Sequence, residues 1–338
     1  MLPKIISLFS GAGGLDLGYH DAGFSVIFAV DNSPSAIKTH KRNFPNTTSI
    51  TADLAELRPK GVLRQVESLL SLGDPIGVIG GPPCQGFSRA NNAAATNDPR
   101  NKLPLLYLAI VASLQKRYDV QFVLFENVQG IRDAKHSVVF EGILSKFSKM
   151  GLHAGVEEYS ALDFGVAQTR NRVIISGFSS PSAAAAFAPV KVPRKDLTVR
   201  AVIGHLPRAT YFSRELNPED ISHHPNHWTM RPASKRFTEP HRLNQSGRSF
   251  RQLAWDKPSP TVAYGHREIH VHPNGTRRLS IYEAMLLQGF PSNFVLEGSL
   301  SAQVEQISNA VPPPLARALA DATKKVFATK KSRSKSAK

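Results

Sequence analysis

The sequence predicts an α/β fold, a doubly wound and mostly parallel sheet joined by a second, smaller and irregular domain. Three observations lead there. Apolar runs of strand length alternate with helix-patterned stretches up to about residue 180, the order from which parallel sheets are built. Between residues 181 and 260 that periodicity gives way to segments rich in Pro, His, Arg and Ser. Helical periodicity returns at residues 280–288 and 315–327, so the chain is expected to leave the sheet domain and rejoin it. The expected division is residues 1–188 with 281–328 for the sheet domain and 189–280 for the small domain. A low-complexity basic tail over 329–338 is expected to be disordered.

The elements follow in order. Residues 4–9 read as a buried strand, the glycine-rich 10–14 as a turn, and 15–22 as a helix. A second apolar strand over 25–30 ends in Asp31. Residues 33–44 look helical, with Ser33 at the N-cap and Pro34 at the first helical position. Asp53 follows a third short strand, and residues 77–79 form a fourth, stopped by Gly80-Gly-Pro-Pro. A helix is expected over 105–116, a strand over 121–125 ending at Glu126, a helix over 137–150 and a late strand over 172–177. Residues 268–272 suggest a short extended piece in the small domain.

Composition narrows the function classes. Hydrophobic residues make up 41% of the 338 residues, enough for a substantial core. No stretch approaches the ~18 consecutive apolar residues of a membrane span, and the start is too short for a signal peptide. A cytosolic protein is therefore expected. The single cysteine, Cys84, excludes an internal disulfide and a multi-cysteine zinc site. The net charge of +16 is unevenly spread. Residues 190–280 carry 16 Lys/Arg against 7 Asp/Glu, and 321–338 carry 7 against 1, leaving the rest of the chain close to neutral. A neutral body with a basic block suits a polyanionic substrate such as nucleic acid.

Two groups of motifs carry chemistry. Phe9-Ser-Gly-Ala-Gly-Gly-Leu-Asp-Leu-Gly links a strand to a helix. Glycines there allow close backbone approach, and the helix N-terminus favours negative groups. Alone, such a turn fits NAD, FAD, S-adenosylmethionine or simply a tight turn. It departs from G-x-G-x-x-G, since position 16 is Asp. Asp31 and Asp53 end successive strands, where they can accept from ribose and base donors or simply cap helices. In Gly80-Gly-Pro-Pro-Cys-Gln-Gly-Phe-Ser, two prolines and flanking glycines fix an unusual backbone around Cys84, just past a strand end. A packed cysteine does not need that setting. Glu126-Asn-Val ends the next strand, so Cys84 and Glu126 can share a cleft. A thiolate and a carboxylic acid suit attack on an electron-poor ring with concurrent protonation. Arg170 and Arg172, two apart on an extended segment, are expected to point the same way and reach a base or phosphate.

The chain resembles the DNA (cytosine-5)-methyltransferase family, of the bacterial type II restriction-modification kind, over nearly its whole length. Residues 9–18, 80–88, 126–128 and 168–172 match the family's cofactor, Pro-Cys, Glu-Asn-Val and Gln-x-Arg-x-Arg motifs. Lys257-Pro-Ser-Pro-Thr-Val, Gln288-Gly-Phe-Pro and Asn309-Ala-Val match the motifs that follow the recognition region. The resemblance implies the class I S-adenosylmethionine-dependent methyltransferase fold, with S-adenosylmethionine as methyl donor and S-adenosylhomocysteine as product. It implies catalytic roles for Cys84, Glu126, Arg170 and Arg172. Cys84 would attack C6 of a flipped-out cytosine, Glu126 would hold and protonate N3, Arg172 would contact the base and Arg170 would support the loop. Phe9, Gly11, Gly13, Gly14, Leu15, Asp31, Asp53, Pro83 and Asn309 would bind the cofactor. Asp31 stands where the family often has Glu, which puts only the ribose contact geometry in question.

Double-stranded DNA is the implied partner, and a base can be attacked above and below its ring only after flipping out. Gln85, Ser88, Arg231, Lys235, Arg236, Arg242, Arg248, Arg251 and Thr261 are the expected DNA contacts. His223, His224 and His227 suggest a metal only weakly, because no cysteine accompanies them and the reaction needs none. No metal, no membrane partner and a monomer are expected. An RNA substrate, or an inactive DNA-binding relative, is the alternative reading.

Overall fold

A computed structural model describes residues 2–83, 102–192, 194, 196–238, 251–261 and 270–335. Strand and helix alternate first, as β1 (Lys4–Leu8), α1 (Gly14–Asp21), β2 (Val26–Asp31), α2 (Pro34–Asn43), β3 (Thr48–Thr51), α3 (Leu54–Val66), β4 (Pro75–Gly80), α4 (Leu103–Leu114), β5 (Asp119–Asn127) and α5 (Ser137–Lys149). Next come β6 (His153–Ser160), the two-residue β7 (Gln168–Thr169), β8 (Asn171–Phe178), α6 (Pro181–Ala186), α7 (Val199–Ile203) and three further two-residue strands, β9 (Thr210–Tyr211), β10 (Trp228–Thr229) and β11 (Ser259–Pro260). The chain closes with α8 (Ile281–Leu287), α9 (Leu300–Asn309) and α10 (Pro313–Lys335).

Seven strands form one sheet in the order β3-β2-β1-β4-β5-β8-β6. Only β8 runs antiparallel to its neighbours, β5 and β6; the other pairings are parallel. The strand order reverses between β1 and β4, so a crevice opens beyond Leu8 and Gly80, where sheets of this kind take ligands. Alternate residues of a central strand feed opposite faces. In β5, Val123 and Phe125 pack with α3, α4 and α5, whereas Phe122 and Leu124 pack with α1, α6 and α10. Both faces are covered, which is why these strands read as continuous apolar runs rather than as an alternating pattern. A third cluster joins Val199 and Ile203 of α7 to α8 and α9, and to Ala12, Leu17 and Phe44.

Local sequence explains several boundaries. Ser33 caps α2 by accepting from the Ala36 amide at 3.3 Å, with proline at the first helical turn. Ser280 and Glu283 form a reciprocal capping box at the start of α8. Three features depart from the sequence expectation. Helix α3 is interrupted by a kink: Arg58, the residue before Pro59, leaves the helical region at φ 58° and ψ 170°. Strand β6 is an edge strand whose residues are mostly exposed, so it carries no apolar signal. The tail expected to be disordered continues instead as helix to Lys335, because no glycine or proline interrupts the Ala-, Lys- and Ser-containing run. Of the extended piece expected over 268–272, residues 268–269 lie outside the described residues, and Val271 forms single bridges to Gln252 and Arg278.

The return of the chain to the sheet domain depends on a close helix crossing. A Cβ at Gly18 of α1 would lie 2.3 Å from the Ala316 carbonyl carbon and 2.4 Å from the Arg317 nitrogen of α10. Both are backbone atoms, so neither can turn aside. Gly18→Ala is expected to force the helices apart and cost about 1–3 kcal/mol, measured as a lower urea midpoint at unchanged m-value; an unshifted midpoint would refute this close packing.

Candidate active site

At the β1 end of the crevice, Phe9 takes a left-handed conformation, φ 54°. This is unusual for a bulky residue and concentrates at functional sites. It turns the chain into Ser10–Gly13, where the Gly11 amide donates to Asp31 Oδ2 at 2.9 Å. The Ser33 amide donates to Asp31 Oδ1, also at 2.9 Å. Asp31 is thus aimed from both sides. Burial raises its pKa, and the two amide bonds oppose that rise. The glycines divide their work. Gly11, at φ 54°, faces open space with nothing within 4 Å of a Cβ position. Gly13 and Gly14 are glycine for packing, since a Cβ there would lie 2.5 Å from the Phe44 ring and 2.5 Å from the Val311 carbonyl oxygen respectively.

Leu15, expected at the cofactor, spends its side chain in the core with Ile5, Tyr19 and Ile79. It lies on the face of α1 that covers the sheet. Asp53 caps α3, its Oδ1 accepting from the Ala55 amide at 2.7 Å, the bland reading of that residue. Its carboxylate is exposed all the same, two residues past the strand that pairs with Asp31. Asn309 is exposed at the C-terminal end of α9, immediately before Ala310, whose Cβ lies 3.1 Å from the Cβ position of Gly14. The two ends of the chain therefore meet at the glycine turn.

At the β4 and β5 ends, Glu126 is 8% exposed and Arg172 9% exposed. Arg172 Nε lies 2.7 Å from Glu126 Oε1. Burial raises the Glu126 pKa, against the lowering influence of Arg172 and then Arg170, so this carboxyl keeps its proton to higher pH than a free one. Glu126 Oε2 lies 2.6 Å from the Cβ position of Gly81. Any side chain at Gly81 would strike it. Asn127 Nδ2 donates to the Pro82 carbonyl at 3.4 Å. The exposed Pro83 follows. The segment that leads into Cys84 is thus packed against Glu126 and tied to its neighbour. Cys84, Gln85, Ser88, Arg242 and Arg248 lie outside the described residues, as does the Arg236 side chain.

The two arginines of the 168–172 segment diverge, contrary to expectation. Arg170 is 1% exposed, and its Nη2 donates to the carbonyls of Ser308 at 2.7 Å and Ala310 at 2.9 Å. Its Nη2 donors are thus spent on backbone rather than aimed into the crevice. Residues 259–260 run alongside 168–169 as a parallel pair, and the Thr261 hydroxyl donates to the Thr169 carbonyl. Thr261, expected at DNA, thereby ties the end of the basic block to this segment. Arg231 stacks over Tyr211 at 4.9 Å from the ring centre, and Arg208 lies over the same ring at 5.5 Å. Arg231, Lys235 and Arg251 are exposed. His223, His224 and His227 gather around the Tyr282 ring: His224 stacks on it at 4.1 Å, while His227 bonds the Ser280 hydroxyl and the Pro207 carbonyl.

Sequence reasoning missed other buried polar groups. Asp16, fully buried just after the glycine turn, faces His40 Nε2 at 3.5 Å, and His40 Nδ1 meets the Ser49 hydroxyl at 2.9 Å. Arg277 and Glu283 form a buried bidentate pair at 2.7 and 2.8 Å. Gln288 Nε2 donates to the carbonyls of Ile307 and Ala310, both at 2.8 Å. Of these, Asp16 and Gln288 stood within quoted motifs, but neither was singled out.

Comparison with known proteins bears directly on this arrangement. The profile of the C-5 cytosine-specific DNA methylase family matches residues 3–325. The type II methyltransferase M.MthTI of Methanothermobacter thermautotrophicus is 32% identical over 95% of this chain and 97% of its own. M1.HphI of Haemophilus parahaemolyticus is 33% identical over 95% and 86%. A crystal structure of an E. coli prophage protein, assigned as a DNA modification methyltransferase, superposes with a TM-score of 0.76 at 26% identity, covering 97% of this chain and all of the other. The sheet described above is that of the class I S-adenosylmethionine-dependent methyltransferases. With the motifs in order along that sheet and the match running from one end of it to the other, the chain belongs to the C-5 cytosine-specific DNA methylase family and is a DNA (cytosine-5)-methyltransferase.

Proposed function

We propose that this enzyme methylates C5 of a cytosine flipped out of duplex DNA within a short specific sequence, through a covalent bond from Cys84 Sγ to C6. The observation that carries the reading is the buried Glu126–Arg172 pair, seated against Gly81 three residues ahead of Cys84. Addition of the Cys84 thiolate to C6 pushes electrons toward N3, where the proton kept by Glu126 is delivered. Arg172 orients the Glu126 carboxyl and balances its charge when the proton leaves. C5 then has enamine character and takes a methyl group. S-adenosylmethionine supplies that group from its sulfonium centre. Loss of the C5 proton and elimination of Cys84 restore the ring, and the N3 proton returns to Glu126.

The crevice supports the cofactor assignment. Gly11 has open space beside it, Asp31 is doubly held, Asp53 is exposed two residues past the neighbouring strand, and the exposed Asn309 precedes Ala310 at Gly14. Asp31 would accept from the ribose hydroxyls, Asp53 from the adenine amine, and Phe9 would pack on the adenine, with Pro83 at the mouth toward Cys84. Residues 189–280 would form the recognition domain, with Arg231, Lys235, Arg251 and the neighbouring Arg236, Arg242 and Arg248 on phosphates and base edges. A restriction-modification setting fits the type II relatives, and the cytoplasm is the proposed location. A monomer suffices for all these steps.

Wild type and Cys84→Ser, expressed in a host lacking cytosine methylation, should differ in bisulfite sequencing. Cytosines protected within one short motif, in wild type alone, are the expected result. Protection persisting in Cys84→Ser would remove Cys84 as nucleophile, and methyl transfer to RNA alone would replace the DNA substrate. Glu126→Gln should lower kcat by about 10²–10⁴, the usual contribution of a positioned acid, in single-turnover assays; a change within twofold would dismiss the N3 role. Replacing Arg231, Lys235 and Arg251 together by Ala should weaken DNA binding and flatten its salt dependence, by about 0.9 in the log–log slope for each phosphate no longer neutralised. An unchanged slope would move the clamp elsewhere.

A further inference from the structure

We propose that Gln288 and Arg170 are positioning residues for cofactor binding, acting by clamping the C-terminal end of α9 from two sides; this rests on the reading of Asn309 and the glycine turn as the cofactor pocket. The last carbonyls of a helix have no partner within it. In α9 three of these terminal carbonyls are taken by two buried side chains. Gln288 Nε2 donates to Ile307 and Ala310, and Arg170 Nη2 donates to Ser308 and Ala310, all within 2.7–2.9 Å. The Ala310 carbonyl therefore accepts from both. A guanidinium at this position also meets the negative end of the helix dipole.

The clamp holds what borders the glycine turn. Asn309 lies between two of the clamped carbonyls, and Val311 follows them. The Val311 carbonyl oxygen and Ala310 Cβ stand against Gly14 so closely that Gly14 has no room for a side chain. A shift of the α9 end by a few tenths of an ångström would move Asn309 relative to Gly11 and Asp31. Packing alone does not account for Gln288. It is fully buried, and its Oε1 has no hydrogen-bond partner among the described residues. An apolar side chain of the same length would fill the space without leaving that oxygen bare. The amide is kept for its two N–H donors. Arg170 brings in the other half of the site, because it stands two residues from Arg172, the partner of Glu126. The same short segment thus touches the base pocket and the cofactor pocket.

The test is calorimetric titration of S-adenosylhomocysteine into wild type, Gln288→Met, Arg170→Lys and Asn309→Ala, alongside binding of a random-sequence DNA duplex without cofactor. Gln288→Met should raise the S-adenosylhomocysteine Kd about tenfold, the equivalent of one net hydrogen bond. DNA affinity should stay within about twofold, and Ala310 amide exchange should quicken. Arg170→Lys keeps a cationic donor at the helix end and should weaken S-adenosylhomocysteine less than Gln288→Met does. An unchanged Kd in Gln288→Met, with Asn309→Ala weakened, overturns the clamp and leaves the cofactor reading standing. Equal loss of DNA and S-adenosylhomocysteine binding overturns it as well, since general loosening then explains both. No effect of Asn309→Ala overturns the pocket reading and the clamp with it. Where Gln288→Met does not fold, Gln288→Asn keeps the amide but shortens its reach, with the same expected and overturning results.

Discussion

A carboxylate and a guanidinium 2.7 Å apart, both at least nine-tenths buried, stand where β5 and β8 run side by side. Taking either charge out of water alone is prohibitive, and breaking such a pair costs about 3–5 kcal/mol. The surroundings of Glu126 and Arg172 follow from that constraint. The antiparallel pairing of β8 with β5, in a sheet otherwise mostly parallel, brings the Arg172 segment beside the end of β5. Gly81 must lack a side chain because Glu126 Oε2 occupies that space. The net effect on Glu126 is set by a contest: burial raises its pKa, the two arginines lower it, and burial prevails. A carboxyl inclined to hold its proton beside a fixed cation can give the proton up when a base arrives and take it back afterwards.

The second constraint is the return of the C-terminal segment. Helix α10 completes the core on one face of the sheet through Leu315, Ala316, Leu319 and Val326. The residues just before it close the glycine turn. Stability and the proposed cofactor pocket therefore share one junction: Gly18 admits α10, and Gly14 admits Val311. The segment between β8 and α8 is anchored at two points, by α7 packed with α8 and by β11 paired with β7. A segment held at two points can vary between them without disturbing the sheet.

Most of the sheet was legible because strands buried on both faces announce themselves as apolar runs, as in Ile5–Leu8 or Phe122–Phe125. Helix α2 was legible from Ser33 and Pro34. Helix α3 was not, because Pro59 and Gly61 interrupt the pattern at the bend. Strand β6 was not, because its exposed Glu157 and Glu158 need no apolar alternation at a sheet edge. Within the candidate site, residue types and order were readable but side-chain destinations were not. Gly11, Gly13 and Gly14 look alike in sequence, yet one faces open space and two are fixed by Phe44 and Val311. Arg170 and Arg172 look like a pair, yet one holds backbone and the other a carboxylate. Such differences depend on partners from 20 residues away, as for Gly11 and Asp31, to 297 away, as for Gly14 and Val311, which no local pattern records.

The charge of the basic block is also less even than its composition suggests. Eight of the chain's 12 histidines fall within residues 190–280. Burial lowers the pKa of His224, His227, His270 and His272, taking His224 and His270 down to about 4. These four are neutral at physiological pH and act as packing groups, as the stacking of His224 on Tyr282 illustrates. The positive field therefore comes from arginine and lysine. Several of the arginines are held against rings: Arg200 over Trp255, Arg208 and Arg231 over Tyr211, Arg278 over Phe237. A guanidinium stacked on an aromatic face directs its in-plane N–H groups away from the ring, the direction from which phosphate oxygens approach. Stacking also removes part of the side-chain entropy that would otherwise be given up on binding. Positive charge fixed in this way, on a body close to neutral, gives the proposed DNA-binding block a directed field.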